Sequence, residues 1–377
     1  MKYYFIAGEA SGDLHASNLI AEIVKKDSQA EVRGFGGELM EQAGMQLSKH
    51  YREMAFMGFL PVLMNLKTIQ RNFKACEEDL FEFQPDVLVL VDYPGFNLRM
   101  AEFAKKHGIR VFYYISPKIW IWKKYRIKKI KAFVDEMFTI LPFETEFYKG
   151  LGYEVNYVGN PLLDAIKAKP AKTDFSDFIN QNNLPDKPII ALLPGSRLQE
   201  IKSLLPRMLE GSASFPEYQI VVTAAPNIEE PVYEKLTQAY PEVRVLHDKT
   251  YELMQQAEAA VLASGTVSLE AGILRCPQIV CYRMDGGTLF YWIGQYVVGI
   301  TLVSLVNLIL KRMAVKELLQ HHCTVANICK ELNLILNNAS HKKQIMKSYD
   351  ELSEKLGEPG ASARAASMMI DKLNEKN

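Results

Sequence analysis

Leu262-Ala-Ser-Gly-Thr-Val-Ser-Leu-Glu-Ala-Gly272 is the stretch from which the architecture reads outward. An apolar run, Ala259 to Ala263, stops at Ser264-Gly265-Thr266 and restarts as a helix carrying Glu270. In an open α/β sheet such a turn lies at the carboxyl end of a strand, where ligands bind. Its free amides suit a diphosphate at the helix N-terminus. Glu270, one turn in, is placed to accept hydrogen bonds from two ribose hydroxyls. Small turn residues are common on their own. Here similar turns recur at Gly8-Glu-Ala-Ser-Gly-Asp13 and Leu193-Pro-Gly-Ser-Arg197, which makes a pattern of one instance.

The rest of the chain follows the same grammar. Short β-rich runs are expected at 3–7, 31–34, 87–91, 110–115, 136–140 and 154–157, separated by amphipathic helices at 13–26, 66–83, 98–107 and 142–151. This alternation predicts a parallel sheet with helices on both faces. Residues 167–187 turn polar and Pro-rich, as a linker does, and strands resume at 189–193, 218–223, 243–246, 259–263 and 278–282. The expected organisation is therefore α/β throughout, with two Rossmann-like domains, 1–166 and 188–340, facing each other across a cleft. A helical tail, 341–377, packs back toward the first domain.

Composition narrows the function classes. At 377 residues the chain exceeds one typical core. Lys+Arg and Asp+Glu balance at 44 each, so no global field recruits nucleic acid. The five cysteines form no CxxC pair and no metal spacing, which fits reduced thiols in a cytoplasmic protein. The N-terminal apolar run is too short for a signal core. Gly286 to Leu310 carries no charge and has the length of a membrane span. Its glycines and polar residues instead favour buried helix and loop, with contact on one bilayer leaflet as a further reading. No P-loop, HExxH or nucleophile elbow occurs.

Candidate chemistry sits at strand tips. Asp92 ends the apolar run Val87–Val91 and stands where a general base would meet an acceptor hydroxyl. The same position suits a helix N-cap or turn aspartate, and the residues leave both readings open. Asp13 is expected to cap the first helix. Arg197 suits the leaving charge of a diphosphate, against a plain surface ion pair with Glu200. Between Lys118 and Lys131 lie seven basic residues and no acid, interleaved with Trp120, Trp122 and Tyr125. Such a stretch fits a solvated basic face, nucleic acid or an anionic lipid surface. The apolar segment from Phe56 to Leu66 fits core or a lipid-facing patch.

In order and spacing these residues resemble the lipid-A-disaccharide synthase family over nearly the whole length. The resemblance rests on Ala7-Gly-Glu-Ala-Ser-Gly-Asp13, Met57-Gly-Phe59, Asp92-Tyr-Pro-Gly-Phe-Asn97 and Tyr114-Ile-Ser-Pro117 with Trp120 and Trp122. It continues through Leu141-Pro-Phe-Glu144, Leu192-Leu-Pro-Gly-Ser-Arg197, Leu262-Ala-Ser-Gly-Thr266 with Glu270, Tyr282-Arg-Met284 and Ser304-Leu-Val-Asn-Leu308. It implies a GT-B fold and an inverting, metal-independent transferase without cofactor. The implied reaction joins UDP-2,3-diacylglucosamine to 2,3-diacylglucosamine-1-phosphate (lipid X), at the inner-membrane surface. A second copy of the chain is an implied partner; nucleic acid is not.

The resemblance also implies roles. Asp92 resembles the base and Arg197 the diphosphate-side cation. Ser196, Ser264, Gly265, Thr266, Glu270 and Asn307 resemble the UDP-sugar platform, and Glu9, Ser11 and Gly12 the acceptor-side loop. Phe59, Leu60 and Leu63, with Lys118, Trp120, Lys123, Lys124 and Arg126, are expected to meet lipid or headgroups. Three departures from the family pattern bear on the donor-side loop, the acyl preference and the dimer contact: no basic residue between Met284 and Asn307, Asn160 after Gly159 where many members carry His, and Ser-Leu-Val before Asn307. The rival readings are another UDP-sugar GT-B enzyme, such as an epimerase or peptidoglycan-type transferase, and a non-catalytic protein that binds anionic surfaces.

Overall fold

Fully apolar runs become central strands, because a parallel sheet covered on both faces must be apolar on both. Val87-Leu-Val-Leu-Val91 and Ile189-Ile-Ala-Leu-Leu193 are buried at every position. The computed structural model describes residues 1–54, 66–120, 124–169, 172–283 and 302–375. The chain divides into two units: Met1–Lys167 with Glu358–Asn377, and Ala168–Gly357.

The first unit runs β1 (Lys2–Ala7), α1 (Ala10–Lys26), β2 (Glu31–Gly36), α2 (Glu38–Gln42), β3 (Gln46–His50), α3 (Leu66–Phe83), β4 (Val87–Val91) and α4 (Pro94–Lys106). It continues with β5 (Arg110–Tyr114), α5 (Ile127–Phe133), β6 (Glu136–Thr139), α6 (Pro142–Gly150), β7 (Asn156–Tyr157) and α7 (Pro161–Lys167). The seven strands lie in the order β3-β2-β1-β4-β5-β6-β7, all parallel. The chain builds outward from β1 and then returns to the other side of it, so the order reverses between β1 and β4.

In the second unit come α8 (Phe175–Gln181), β8 (Ile189–Leu193), α9 (Leu198–Ser212), β9 (Gln219–Ala224), α10 (Glu230–Thr237), β10 (Arg244–His247), α11 (Thr250–Gln256) and β11 (Ala257–Ala263). After them lie α12 (Val267–Ile273), β12 (Gln278–Tyr282), α13 (Leu305–Leu310), β13 (Lys316–Leu319), α14 (Val325–Asn337) and α15 (Ala339–Leu356). Its order is β10-β9-β8-β11-β12-β13, with the reversal between β8 and β11. Helix α8 falls inside the polar stretch 167–187 and buries Phe178 and Ile179.

Gly357 to Gly360 breaks the tail, and the last helix, α16 (Ala361–Asn374), returns to the first unit. Its Ala365, Ala366, Met369 and Leu373 join the core formed by α1 and one face of the sheet. Asp164 on α7 receives the amides of Gly360 and of Ser362, the latter at 3.0 Å. Arg364 donates to the carbonyls of Val158, Pro359 and Glu358 at 2.9, 2.9 and 3.0 Å.

One expectation is corrected. Asp13 does not cap the first helix, which begins earlier, at Ala10. Its buried carboxylate accepts the amides of Gly37, Leu39 and Met40 at 2.9, 3.2 and 3.1 Å, and so caps α2. From inside the first turn of its own helix it cannot serve as that helix's N-cap, and the free donors within reach belong to the neighbour. Among the described residues, no helix is long and apolar enough to cross a membrane.

Candidate active site

In each unit the polar turns named above fall at the carboxyl ends of the two strands flanking the reversal, where an open α/β sheet opens a crevice. In the first unit these are Gly8-Glu9 after β1 and Asp92-Tyr93 after β4. Asp92 and Tyr93 both hold left-handed backbone, with φ of 42° and 45°. Two such residues in succession cost about 1–3 kcal/mol each, and such strain gathers at functional positions. The surroundings hold it in place. Asp92 N–H donates to the Tyr114 carbonyl at 3.2 Å. The Asp92 carbonyl accepts from Asn97 Nδ2 at 2.7 Å and from the Tyr113 hydroxyl at 2.5 Å. Tyr93 donates its hydroxyl to the Met54 carbonyl at 3.0 Å.

The N-cap of α4 is Tyr93, without a side-chain cap bond, so the helix-cap reading of Asp92 drops out. Its half-buried carboxyl is pushed up by desolvation, opposed by the Lys118 cation and by the Tyr93 amide. A carboxylate made more basic in this way suits proton abstraction.

Gly8 lies under the Tyr93 ring; a β-carbon there would stand 2.3 Å from Cδ1. Gly8→Ala is therefore expected to destabilise the protein by about 1–3 kcal/mol and to lower kcat further by displacing the Asp92 turn. Thermal melts beside initial rates check this; a normal kcat in a folded variant would contradict it. Glu9 opens α1 as its N-cap, and its charge helps push up the Tyr93 hydroxyl. Ser11 is exposed in the first turn. Gly12 is buried, with room for a β-carbon only 3.3 Å from Ala7 Cβ, so its place is close packing of α1 on the sheet.

The basic-aromatic stretch is only partly a surface. Lys118 and Lys124 are exposed and Arg126 is half-buried. Trp120 is committed inward: its indole N–H donates to Glu144 at 3.3 Å and its ring meets Phe143 edge-on at 5.1 Å. Phe59, Leu60, Leu63 and Lys123 lie outside the described residues, as does Trp122. Glu144 went unassigned by sequence reasoning. Its buried carboxylate accepts from Ser116, Trp120 and the amides of Ile140 and Leu141, and burial pushes it up. It ties the loop after β5 to the start of α6, and the Leu141-Pro-Phe-Glu144 box was its signal.

In the second unit, Gly195 (φ 108°) and Ala263 bring the two turns together; a β-carbon on Gly195 would sit 3.2 Å from Ala263 Cβ. Ser264 N–H continues the ladder to the Cys281 carbonyl at 2.9 Å. Gly265 and Thr266 are exposed, as is Ser196, whose carbonyl accepts from Asn227 at 3.0 Å. Arg197 makes the surface ion pair with Glu200, at 3.1 Å, with its side chain 64% exposed. An exposed pair of this kind contributes about 0–1 kcal/mol, so it yields readily to an arriving anion.

Glu270 stands out. Burial alone pushes its carboxyl up to about 7, and among the described residues no donor or cation compensates it. Tyr251 lies close enough for Glu270 to push its hydroxyl up. Asn307, expected beside the donor, is fully buried and internally used. Its Nδ2 donates to Val315 O at 2.9 Å and Glu317 Oε1 at 2.7 Å, while its Oδ1 accepts from Ala314 and Val315 at 2.7 and 2.9 Å. Glu317, also unassigned from sequence, gathers in addition the amides of Val303 and Ser304. Among the described residues no three His, Cys, Asp or Glu side chains cluster as a metal site would.

Two parallel α/β units, each with polar turns at its own strand reversal, define the GT-B class shared by glycosyltransferases and sugar epimerases. The UDP-GlcNAc 2-epimerase of Methanocaldococcus jannaschii, in complex with UDP-GlcNAc and UDP, has this fold, with a TM-score of 0.68 at 15% identity, over 98% of this chain and 99% of that one. The calicheamicin glycosyltransferase CalG4 shares it at a TM-score of 0.61 and 13% identity, over 99% and 98% of the two chains. Sequence gives the family. The model of lipid-A-disaccharide synthetase matches residues 3–370. The lipid-A-disaccharide synthase of Myxococcus xanthus is 37% identical over 376 residues, 98% of this chain and 96% of its own length. This chain belongs to the lipid-A-disaccharide synthetase family, and is a glycosyltransferase of lipid A synthesis.

Proposed function

We propose that the enzyme transfers the sugar of UDP-2,3-diacylglucosamine to the 6-hydroxyl of lipid X, releasing UDP and a β-1′,6-linked disaccharide 1-phosphate. The observation that carries this reading is Glu270, a half-buried carboxylate with no donor or cation beside it among the described residues, one turn beyond Ser264-Gly265-Thr266. Two ribose hydroxyls would supply its missing donors. The exposed turns at Ser196 and at Ser264 to Thr266 would hold the diphosphate through their amides. Arg197, released from Glu200, would stabilise the charge on the leaving UDP. Asn307, with Glu317, would act on the donor side by fixing the start of α13.

The first unit supplies the acceptor's base. Asp92 takes the proton of the 6-hydroxyl as that oxygen attacks the donor's anomeric carbon, and the bond to UDP breaks on the opposite face with inversion. Glu9 and Ser11 would face the acceptor, with Gly12 beneath them. Lys118, Lys124 and Arg126 would meet anionic headgroups or the acceptor phosphate, at the cytoplasmic surface of the inner membrane, to which the enzyme attaches peripherally.

The test is a mass-detected transfer assay with both lipids in EDTA. The expected products are UDP and the tetraacyl disaccharide phosphate. Absence of disaccharide across several acyl lengths, or epimerisation of UDP-N-acetylglucosamine instead, overturns the reading.

A further inference from the structure

Beside the Asp92 turn, the first unit carries a cavity of about 490 Å³ between α4 and the segment from Tyr125 to Lys129. It begins at Pro94 and Gly95, the residues that follow Asp92-Tyr93 in the chain, and its walls include Arg99 from one side and Arg126 from the other. Gly95 leaves its end open: beyond its own helix and chain neighbours, no described atom lies within 4 Å of where a β-carbon would stand. Four cations, Arg99, Lys106, Arg126 and Lys129, face two carboxylates, Glu77 and Glu102, in this lining. Glu102 is already bound by Lys106 at 3.0 Å and Lys129 at 3.2 Å. That leaves two guanidinium groups against one carboxylate, Glu77. Arg99 lies on the Phe73 ring, 4.0 Å from its centre, and neither arginine makes an ion pair among the described residues. Arg126 also sits near enough to oppose the upward push on the Tyr113 hydroxyl, the group that holds the Asp92 carbonyl.

Two planar guanidinium groups in excess over the one remaining carboxylate suit a phosphate monoester. We propose that Arg99 and Arg126 bind the anomeric phosphate of the acceptor in this cavity, and so orient the acceptor's other end toward Asp92. This rests on the reading of the enzyme as a transferase acting on lipid X, and names the residues that select the phosphorylated acceptor. In glucosamine the 1-phosphate and the 6-hydroxyl stand on carbons to either side of the ring oxygen, at a fixed separation, so an anion site in the same unit as the base sets which hydroxyl reacts.

The experiment compares wild type with Arg99→Gln, Arg126→Gln and the double variant on two acceptors: lipid X, and the same diacylglucosamine without its phosphate. Arg99→Lys, which keeps a cation over Phe73, and thermal melts report on folding. For lipid X, the double variant is expected to lose about 10- to 100-fold in kcat/KM, chiefly through acceptor KM. The phosphate-free acceptor and the donor KM should change by no more than about 3-fold, so the preference for phosphate collapses. Equal losses on both acceptors, or an undiminished preference, overturn the assignment. So does a double variant that keeps the preference but no longer binds anionic vesicles, because the arginines then serve a bilayer headgroup. Should wild type make no disaccharide at all, the transferase reading fails, and binding of lipid X in nonionic micelles still decides the cavity. Weaker binding by the double variant supports the phosphate site, and unchanged binding removes it.

Discussion

Asp92→Asn lowers kcat by about 10²- to 10⁴-fold, the range of a lost general base, while donor KM stays close to wild type. The substitution keeps the shape of the side chain and its neighbours in the strained turn. A neutral amide is also easier to bury than a carboxylate, so thermal stability should not fall. With Asp92 as the proposed base, wild-type activity should need the unprotonated carboxylate. Because burial pushes Asp92 up, the acid limb of the rate profile should lie above the ordinary carboxylate range. Lys118 acts in the other direction, and Lys118→Gln should move that limb higher still. The check is kcat against pH for the three proteins. Equal kcat in wild type and Asp92→Asn removes the residue as base but leaves the reaction in place.

Glu270→Gln has the second large effect, with opposite signs on binding and on stability. The folded carboxyl is pushed from 4.5 up to about 7, so between these values the folded protein keeps a proton that the unfolded chain has released. Stability from this group is complete below about pH 4.5 and declines as pH rises toward 7, by an amount on the order of 3 kcal/mol. A neutral amide avoids that loss, so the variant without substrate should melt higher than wild type at pH 8. Donor binding goes the other way. Ribose hydroxyls need the ionised form as acceptor, so wild-type donor KM should rise as pH falls below about 7. In the variant, donor KM should be raised about 10-fold or more and lose this dependence. Melting curves at pH 5 and 8, with donor KM over the same range, check both signs. A variant with unchanged melting and unchanged donor KM would contradict the donor role.

What could be read from the sequence follows burial. Central strands such as Val87–Val91 and Gln278–Tyr282 lie within covered parallel sheets, and their apolar runs announce them. Edge strands β3 and β13 carry Gln-Leu-Ser-Lys-His and Lys-Glu-Leu-Leu, polar enough to pass for loop because one flank lacks a neighbour. The glycine-rich end of β2 carries the strand two residues past the expected 31–34: Gly36 still belongs to it and Gly37 follows it. A β-carbon at Gly34 would meet the Phe5 carbonyl at 2.0 Å, a cross-strand constraint with no local trace. Strand-tip residues were legible for a topological reason: each follows an apolar run and precedes a helix. Glu144, Glu317 and the inward use of Asn307 were not. Their meaning lies in partners such as Trp120 and Val303, which only the folded chain brings near.

The return of α16 to the first unit has a consequence for synthesis on the ribosome. The half that begins the chain lacks Ala365, Ala366, Met369 and Leu373 from its core until the end has been made. At roughly 5–20 residues per second, the intervening 168–357 take on the order of ten seconds or more to emerge. At the end of that interval the later half has all its residues, while the earlier half still waits with one side of α1 uncovered. The unit begun first is thus completed last, and a chain cut short at Gly357 would carry a whole second unit beside a first unit whose core lacks four of its side chains.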